Sequence, residues 1–248
     1  MKLEQVVAVR KNKTIYQDEN KLIKLFDETY SVANVLNEAL NQARIYETGL
    51  NIPALQEVTK IDGKWVISMD FIEGKTLEQL IDENPSKVDS YLKLFVETQI
   101  EMHSKRSTLL RKLHDKMADK IDETELSDSK KFDLKSRLAG FEKHNKVLHG
   151  DYQFSNVIID KNGKVYIVDW SHATQGNASA DVAMSYLLMK MDKKDELAEK
   201  YLDLFCKKTN TDKHYVQTWV PIVAAAHLNK CKPENKAMLE SFIDVVEY

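Results

Sequence analysis

Three oxygen-bearing side chains stand close together in the stretch Val147–Trp170, VLHGDYQFSNVIIDKNGKVYIVDW. Asp151 follows His149 and Gly150, Asn156 comes five residues later, and Asp169 precedes Trp170. Between Asn156 and Asp169, the runs Val157–Asp160 and Val165–Val168 flank the turn Lys161-Asn162-Gly163. An Asn-Gly pair between two apolar runs is the strongest short-range hairpin signal. Antiparallel pairing about that turn predicts that Asn156 and Asp169, at the two open ends, lie side by side. Asp151 is on the loop that leads into the same end. Hard oxygen donors of this kind suit magnesium, which takes one or two protein oxygens and fills its shell with phosphate oxygens and water. Any one of the three alone reads as an ordinary loop residue; only the joint pattern points to chemistry.

A second candidate lies upstream. In Lys21–Phe26, KLIKLF, strand alternation puts Leu22, Lys24 and Phe26 on one face. The plain reading of Lys24 is a lysine that snorkels from an edge strand. The functional reading is a strand lysine that steadies nucleotide phosphates and pairs with a glutamate on the next helix. Glu38 borders the apolar stripe of that helix and fits the glutamate, with Glu28 and Glu47 as rivals.

A carboxylate, an asparagine five residues on, a hairpin and then a further Asp form the catalytic-loop arrangement of protein kinases. In this chain His149-Gly150-Asp151, Asn156 and Asp169-Trp170 resemble the signature of the aminoglycoside phosphotransferase and choline kinase superfamily. The resemblance implies an α+β, protein-kinase-like fold, with a small β-rich N-lobe and a larger helical C-lobe carrying a catalytic β-hairpin. It implies Asp151 as catalytic base, Asn156 and Asp169 as magnesium ligands, and Lys24 and Glu38 at the nucleotide. Val66–Glu73 resembles the segment that links the lobes, where backbone groups of Asp70, Phe71 and Ile72 would hydrogen-bond the adenine. Gly176 and Asp181 resemble the family's G-x-x-x-x-D segment, in which the aspartate holds the catalytic loop. Two departures stand out. Kinases cover the phosphates with a glycine-rich loop between the first two strands, and here that place reads Arg10-Lys11-Asn12-Lys13-Thr14, so its lysines and amides would have to serve. Gln153-Phe154-Ser155 also replaces the family's usual histidine-proline-glycine type of sequence.

The elements that must position these residues follow from pattern. Val6–Arg10, Thr14–Tyr16, Lys21–Phe26, Ala54–Lys60 and Lys64–Phe71 read as strands. Ser31–Tyr46 reads as a helix with Val32, Val35, Leu36, Ala39, Leu40 and Ala43 on its stripe, stopped by Gly49. Glu73-Gly74 reads as a hinge. Helices are expected from a Thr76 cap through Asp82, over Tyr91–Glu101 and Thr108–Ile121, from a Ser127 or Asp128 cap toward Phe141, and from Asp181 to the end. The expected organisation is a nucleotide-binding N-lobe over 1–72 and a helical C-lobe over 73–248, with the acceptor near Gln153, His172 and the helices after Asp181.

Composition narrows the partners. Hydrophobic residues make up 43% of the 248 and charged residues 30%, with a net charge of −3, which fits a globular chain without a nucleic-acid footprint. No apolar run approaches the ~20 residues of a membrane span, and the opening MKLEQVVAVRKNK lacks a secretory pattern. Two cysteines give no disulfide framework and no zinc spacing. Histidines do not cluster with them, and His149 reads as a brace for the catalytic loop. The function expected is ATP-dependent transfer of a γ-phosphoryl group to a hydroxyl of an aminoglycoside-, choline- or sugar-like small molecule, with magnesium, in the cytoplasm. GTP is an alternative donor. A protein Ser/Thr kinase and a non-catalytic nucleotide-binding module are the rival readings. The short interval between Asp169 and Asp181 leaves no room for an activation segment, and the intact trio opposes the second rival.

Overall fold

The computed structural model describes Leu3 and residues 5–244. The chain opens with three antiparallel strands, β1 (Gln5–Arg10), β2 (Lys13–Asp18) and β3 (Lys21–Phe26), followed by helix α1 (Val32–Tyr46). Strands β4 (Leu55–Ile61) and β5 (Lys64–Asp70) complete a five-stranded sheet of order β1-β2-β3-β5-β4. The alternation of β3 and β5 buries Phe26, Ile67 and Met69 against Val35 and Ala39 of α1.

Glu73-Gly74 is not a simple hinge. A short strand, β6 (Gly74–Thr76), follows at once and later pairs with the hairpin about Asn162-Gly163. Three residues carry too little alternation to reveal a strand. A Cβ on Gly74 would collide with the Ile159 carbonyl, so this close approach needs glycine. Thr76 then caps α2 (Leu77–Glu83) in a capping box with Gln79.

Helices α3 (Val88–Ser104), α4 (Leu113–Asp122) and α5 (Asp128–Gly140) come next. Helix α4 starts later than Thr108, although Leu113, Met117 and Ile121 are buried on one stripe. Strand β7 (Lys146–Leu148) precedes the hairpin β8 (Val157–Asp160) and β9 (Val165–Ile167), and β10 (Thr174–Gly176) pairs back on β7. Strands β7 and β10 escape sequence reading for the same reason as β6. Helices α6 (Ala178–Met191), α7 (Asp195–Thr209), α8 (Lys213–Thr218), α9 (Val220–His227) and α10 (Pro233–Ile243) follow, and the expected helical run beyond residue 244 falls outside the described residues.

Two compact units result. One holds residues 1–87 and 154–172, so the hairpin packs with the strand-rich part. The other holds residues 88–153 and 173–248. Its core is apolar and aromatic, with Phe95, Tyr152, Tyr201 and Trp219 fully withdrawn from water and every residue of Val220–Ala226 buried. No described helix is long and apolar enough to cross a membrane.

Candidate active site

In the first unit the expected lysine is buried and paired. Lys24 Nζ lies 2.6 Å from Glu38 Oε1 and 3.3 Å from Asp169 Oδ1. Lys24 and Glu38 side chains are each 4% exposed, and burying such charges is tolerable only when they are paired. Burial pushes the Lys24 ammonium toward deprotonation, but the charges of Asp169 and Glu38 outweigh it and raise its pKa. Helix α1 is rotated from the expected stripe to make this contact. Val32, Leu36 and Leu40 are exposed, while Glu38, Asn41, Gln42 and Ile45 face inward with Val35 and Ala39. The polar residues are drawn in by specific partners: Glu38 by Lys24, and Gln42 by the Pro53 carbonyl at 2.6 Å.

The hairpin delivers the two metal-ligand candidates together. Val157 pairs with Ile167, and the Val168 amide donates to the Asn156 carbonyl at 2.9 Å. Asn156 and Asp169 therefore sit at adjacent ends of the ribbon. The turn is fixed by Asp160, whose carboxylate accepts from the amides of Asn162 and Lys164, and by Gly163 at φ +81°. Asp169 itself has φ +65°, a left-handed backbone uncommon for a non-glycine residue. Conformations of this kind cost about 1–3 kcal/mol and concentrate at functional sites. Asn156 and Asp169 supply hard oxygens, the donor type that magnesium prefers. Among the described residues no group of three or more His, Cys, Asp or Glu is arranged to hold a metal.

Two of the backbone donors expected at the adenine, those of Asp70 and Phe71, are engaged within the fold. The Asp70 amide already donates to the Ala54 carbonyl at 3.0 Å, and the Phe71 amide to the Asn20 carbonyl at 2.8 Å. The Asp70 carboxylate accepts from the Ala54 amide and Gln56. Only the Ile72 amide has no partner of this kind among the described residues. Sheet pairing consumes the other two donors because β5 is an interior strand up to Asp70.

In the second unit Asp151 rides on a loop held from both sides. Asp181 is buried, and its carboxylate accepts from the Gly150 amide at 2.7 Å and the His149 amide at 3.3 Å, with His103 Nε2 at 3.0 Å. Burial pushes the Asp181 carboxyl up, but the bond and charge of His103 and the Gly150 amide prevail and hold it below its ordinary value. His149 is fully buried, and its Nδ1 accepts from the Asp151 amide at 3.2 Å, so it does brace the loop. Gly150 takes φ +76°, which a side chain would resist. After Asp151, the Tyr152 hydroxyl donates to the Phe95 carbonyl at 2.9 Å, and the Tyr152 carbonyl accepts from Ser185 at 2.7 Å. Gln153 Nε2 donates to Asp151 Oδ1 at 3.2 Å.

Among the lysines of the Arg10–Thr14 turn expected to serve the phosphates, Lys13 is the one that joins the Lys24 cluster, a pairing that sequence reading did not assign. Its Nζ lies 3.0 Å from Glu38 Oε1 and 3.8 Å from Asp169 Oδ1, with 15% of the side chain exposed. The signal was available. A tight turn at Glu19-Asn20 sets Ile15 opposite Lys24 and Lys13 opposite Phe26, which places Lys13 on the Lys24 face. Where kinases carry a glycine-rich loop, this chain has a short turn at Lys11-Asn12, and it turns a lysine inward.

Solved structures of similar fold are kinase-like. The chain is 12% identical to aminoglycoside phosphotransferase APH(4)-Ia, with TM-score 0.72 over 97% of this chain and 91% of that one. Choline kinase LicA from Streptococcus pneumoniae gives 15% identity and TM-score 0.63, covering 97% of this chain and 91% of LicA. A choline/ethanolamine kinase family protein from Mesorhizobium loti gives 12% identity and TM-score 0.65, over 99% and 89% of the two chains. No curated protein matches by sequence. A family model does: residues 18–220 match the phosphotransferase enzyme family (APH), and the chain belongs to that family. It is a kinase-type phosphotransferase with the protein-kinase-like fold expected from the sequence.

Proposed function

We propose that the protein transfers the γ-phosphoryl group of ATP to a hydroxyl of a small molecule. The observation that carries this reading is the buried Lys24 between Glu38 and Asp169, at 2.6 and 3.3 Å, because a lysine held this way supplies a fixed positive charge for phosphate. A thermostable mutant of the similar APH(4)-Ia is known as a ternary complex with AMP-PNP and hygromycin B, which agrees with an ATP-type donor and a small acceptor. The N-terminal part to about residue 72 would serve the nucleotide, and the helical remainder the acceptor.

In this reading Lys24 and Lys13 orient the phosphates. Asn156 and Asp169 would hold magnesium, which when bound supplies charge neutralisation for the phosphate oxygens. The Ile72 amide offers a donor to the base. Asp151 accepts the proton of the acceptor hydroxyl as its oxygen forms a bond to Pγ. The bond from Pγ to the β,γ-bridging oxygen breaks, and its electron pair leaves with ADP. The products are a phosphate monoester, ADP and a proton released to solvent. Asp181, His149 and Tyr152 keep Asp151 in place, and such positioning supplies much of the rate in phosphoryl transfer.

Asp151→Asn tests this. The substitution keeps size and removes the carboxylate. On the best acceptor kcat should fall by roughly 10²–10⁴-fold, the usual worth of a positioned base, with ATP affinity by titration unchanged. Asp169→Ala should weaken magnesium-dependent nucleotide binding as well. Near-normal turnover in Asp151→Asn would overturn the mechanism.

A further inference from the structure

The helical unit carries a cavity of about 380 Å³ whose wall includes Gln153, Leu188, Met191, His227 and Lys230. It is at the small end of the ~300–1,000 Å³ usual for small-molecule sites. Gln153 ties it to the reaction centre, since the same side chain donates to Asp151 Oδ1 at 3.2 Å. His172, expected near the acceptor, belongs to the other unit and is not in this wall.

The charges here are of an unexpected sign. Lys230 is solvent-exposed, so a ligand can reach it, and it sits on a fixed turn rather than a loose loop. The Cys231 amide donates to the His227 carbonyl at 3.1 Å, and Asn229 Nδ2 donates to the Glu123 carbonyl at 2.8 Å. Partial desolvation of its ammonium and the Lys120 cation depress the Lys230 pKa, and the carboxylates of Asp151 and Glu123 oppose them without prevailing. Lys230 in turn is the main charge depressing Lys116. Lys193 and Lys232 add two further cations to the wall. The wall's carboxylates are Asp192 and Glu234, and Asp192 is engaged by Lys194 at 3.9 Å. Burial and Lys230 push His227 down to about 4, so it is a neutral imidazole that adds no charge at neutral pH. A cationic acceptor such as an aminoglycoside or choline would meet lysine beside Asp151. An anion would relieve the crowding of like charges.

We propose that the acceptor is a small hydroxylated anion whose carboxylate or phosphate seats against Lys230, with its reacting hydroxyl toward Asp151. The proposal rests on the phosphotransferase reading above and specifies its substrate class.

The test uses the full chain, ATP and magnesium, and matched acceptors: D-glycerate and glycerol 3-phosphate against glycerol, gluconate against glucose, with choline and hygromycin B as cations. ADP release reports transfer, and thermal shift without nucleotide reports acceptor binding. Anionic members should bind and react, neutral and cationic ones at least tenfold less well. The glycerate and glycerol 3-phosphate arms separate carboxylate from phosphate. Lys230→Met should raise the KM of the anionic acceptor roughly tenfold or more, the worth of one charge-assisted hydrogen bond, and Lys230→Arg should restore most of it. A separate magnesium-dependent thermal shift with ATP monitors the parent reading. If ATP binds but cations or neutral alcohols are preferred, or no anionic member binds or reacts, the anionic assignment is overturned while the phosphotransferase reading stands. If ATP itself fails to bind, the parent reading fails, and this one with it.

Discussion

Lys24, buried in the strand-built unit, and Lys116, half-buried in the helical unit, have their ammonium groups pushed in opposite directions. For Lys24 the burial penalty is overcome by Asp169 and Glu38, and the pKa rises. For Lys116 burial is reinforced by Lys230, Arg111 and Lys120, Asp181 opposes them, and the pKa is pushed down to about 7. The first unit sets two lysines against two carboxylates, all within 4 Å contacts: Lys13 and Lys24 on Glu38 and Asp169. The charge of this cluster is balanced, and each lysine has a substitute. The second unit hangs the Asp151 loop on one buried carboxylate, Asp181, and sets Lys116, Lys120 and Lys230 against one another. Redundancy on one side and a single anchor on the other should give different responses to mutation.

The largest response is expected at the single anchor. Asp181→Ala leaves His103 and the amides of His149 and Gly150 without their buried acceptor. Removing one partner of a buried charged network costs about 3–5 kcal/mol, and the loop carrying Asp151 loses its support. Urea denaturation should show a lowered midpoint, and kcat should fall together with it. Full stability in Asp181→Ala would mean that Tyr152 and Ser185 hold the loop without it.

The paired cluster should respond asymmetrically. Glu38→Ala removes the carboxylate that two lysines share, leaving Lys24 buried with Asp169 alone at 3.3 Å. Lys24→Met leaves Glu38 paired with Lys13 at 3.0 Å, and methionine refills much of the stem volume. Glu38→Ala should therefore cost about 2–3 kcal/mol, and Lys24→Met about 1 kcal/mol, although both should impair nucleotide use. Equal costs in thermal denaturation would show that Lys13 does not back up Lys24.

How far the sequence revealed this comparison depends on the range of the contact. The hairpin about Asn162-Gly163 is a local event with its own turn chemistry, so Asn156 and Asp169 were legible as neighbours. Lys24 was legible because it interrupts the apolar face of β3. The full rotation of α1 was not, because Asn41 and Gln42 also turn inward, Gln42 to the Pro53 carbonyl, and periodicity ranks such polar residues as surface. The three-residue strands β6, β7 and β10 are too short for an alternation signal. The group of Lys116, Lys120 and Lys230 was invisible for another reason: the first two are on α4 and the third is on a turn more than a hundred residues later, and sequence alone reads each as a solvated charge.

The cations set around Lys116 should appear as a pH dependence. Lys116 binds its proton more weakly when folded, so between about pH 7 and its ordinary value of 10.5 the unfolded chain holds a proton that the folded chain has lost. Stability then rises with pH across that window, and the contribution is lost as pH falls through about 7. Cys206 and Cys231, whose thiols are pushed up by burial, act the other way near pH 9, so pH 7 to 8.5 is the useful interval. Tm should climb by a few degrees over that interval in the parent, and the climb should flatten in Lys116→Met. An identical slope in both would show that Lys116 keeps an ordinary pKa.

The smallest effect belongs to Lys13, and it tests whether the charge balance of the strand-built unit serves the nucleotide. Lys13 stands where kinases place a glycine-rich loop, at the start of β2, with its ammonium 3.0 Å from Glu38 and 3.8 Å from Asp169. Without nucleotide it neutralises carboxylate. With phosphates present, the same ammonium is in reach of a second set of anionic oxygens, while Glu38 keeps Lys24. Lys13→Met should therefore leave the unliganded fold within about 1 kcal/mol of the parent, because the pair it breaks is partly exposed and has a substitute. It should weaken AMP-PNP binding by roughly three- to tenfold, equivalent to about 0.7–1.4 kcal/mol. The KM for ATP should rise in step and kcat should change little, as expected when an interaction is made equally in the ground and transition states. Lys13→Arg should recover part of the affinity by keeping the charge. Titration with AMP-PNP and magnesium, beside steady-state kinetics, reads all three quantities. Unchanged affinity would reduce Lys13 to a clamp on Glu38, and a loss larger than that of Lys24→Met would reverse the ranking of the two lysines.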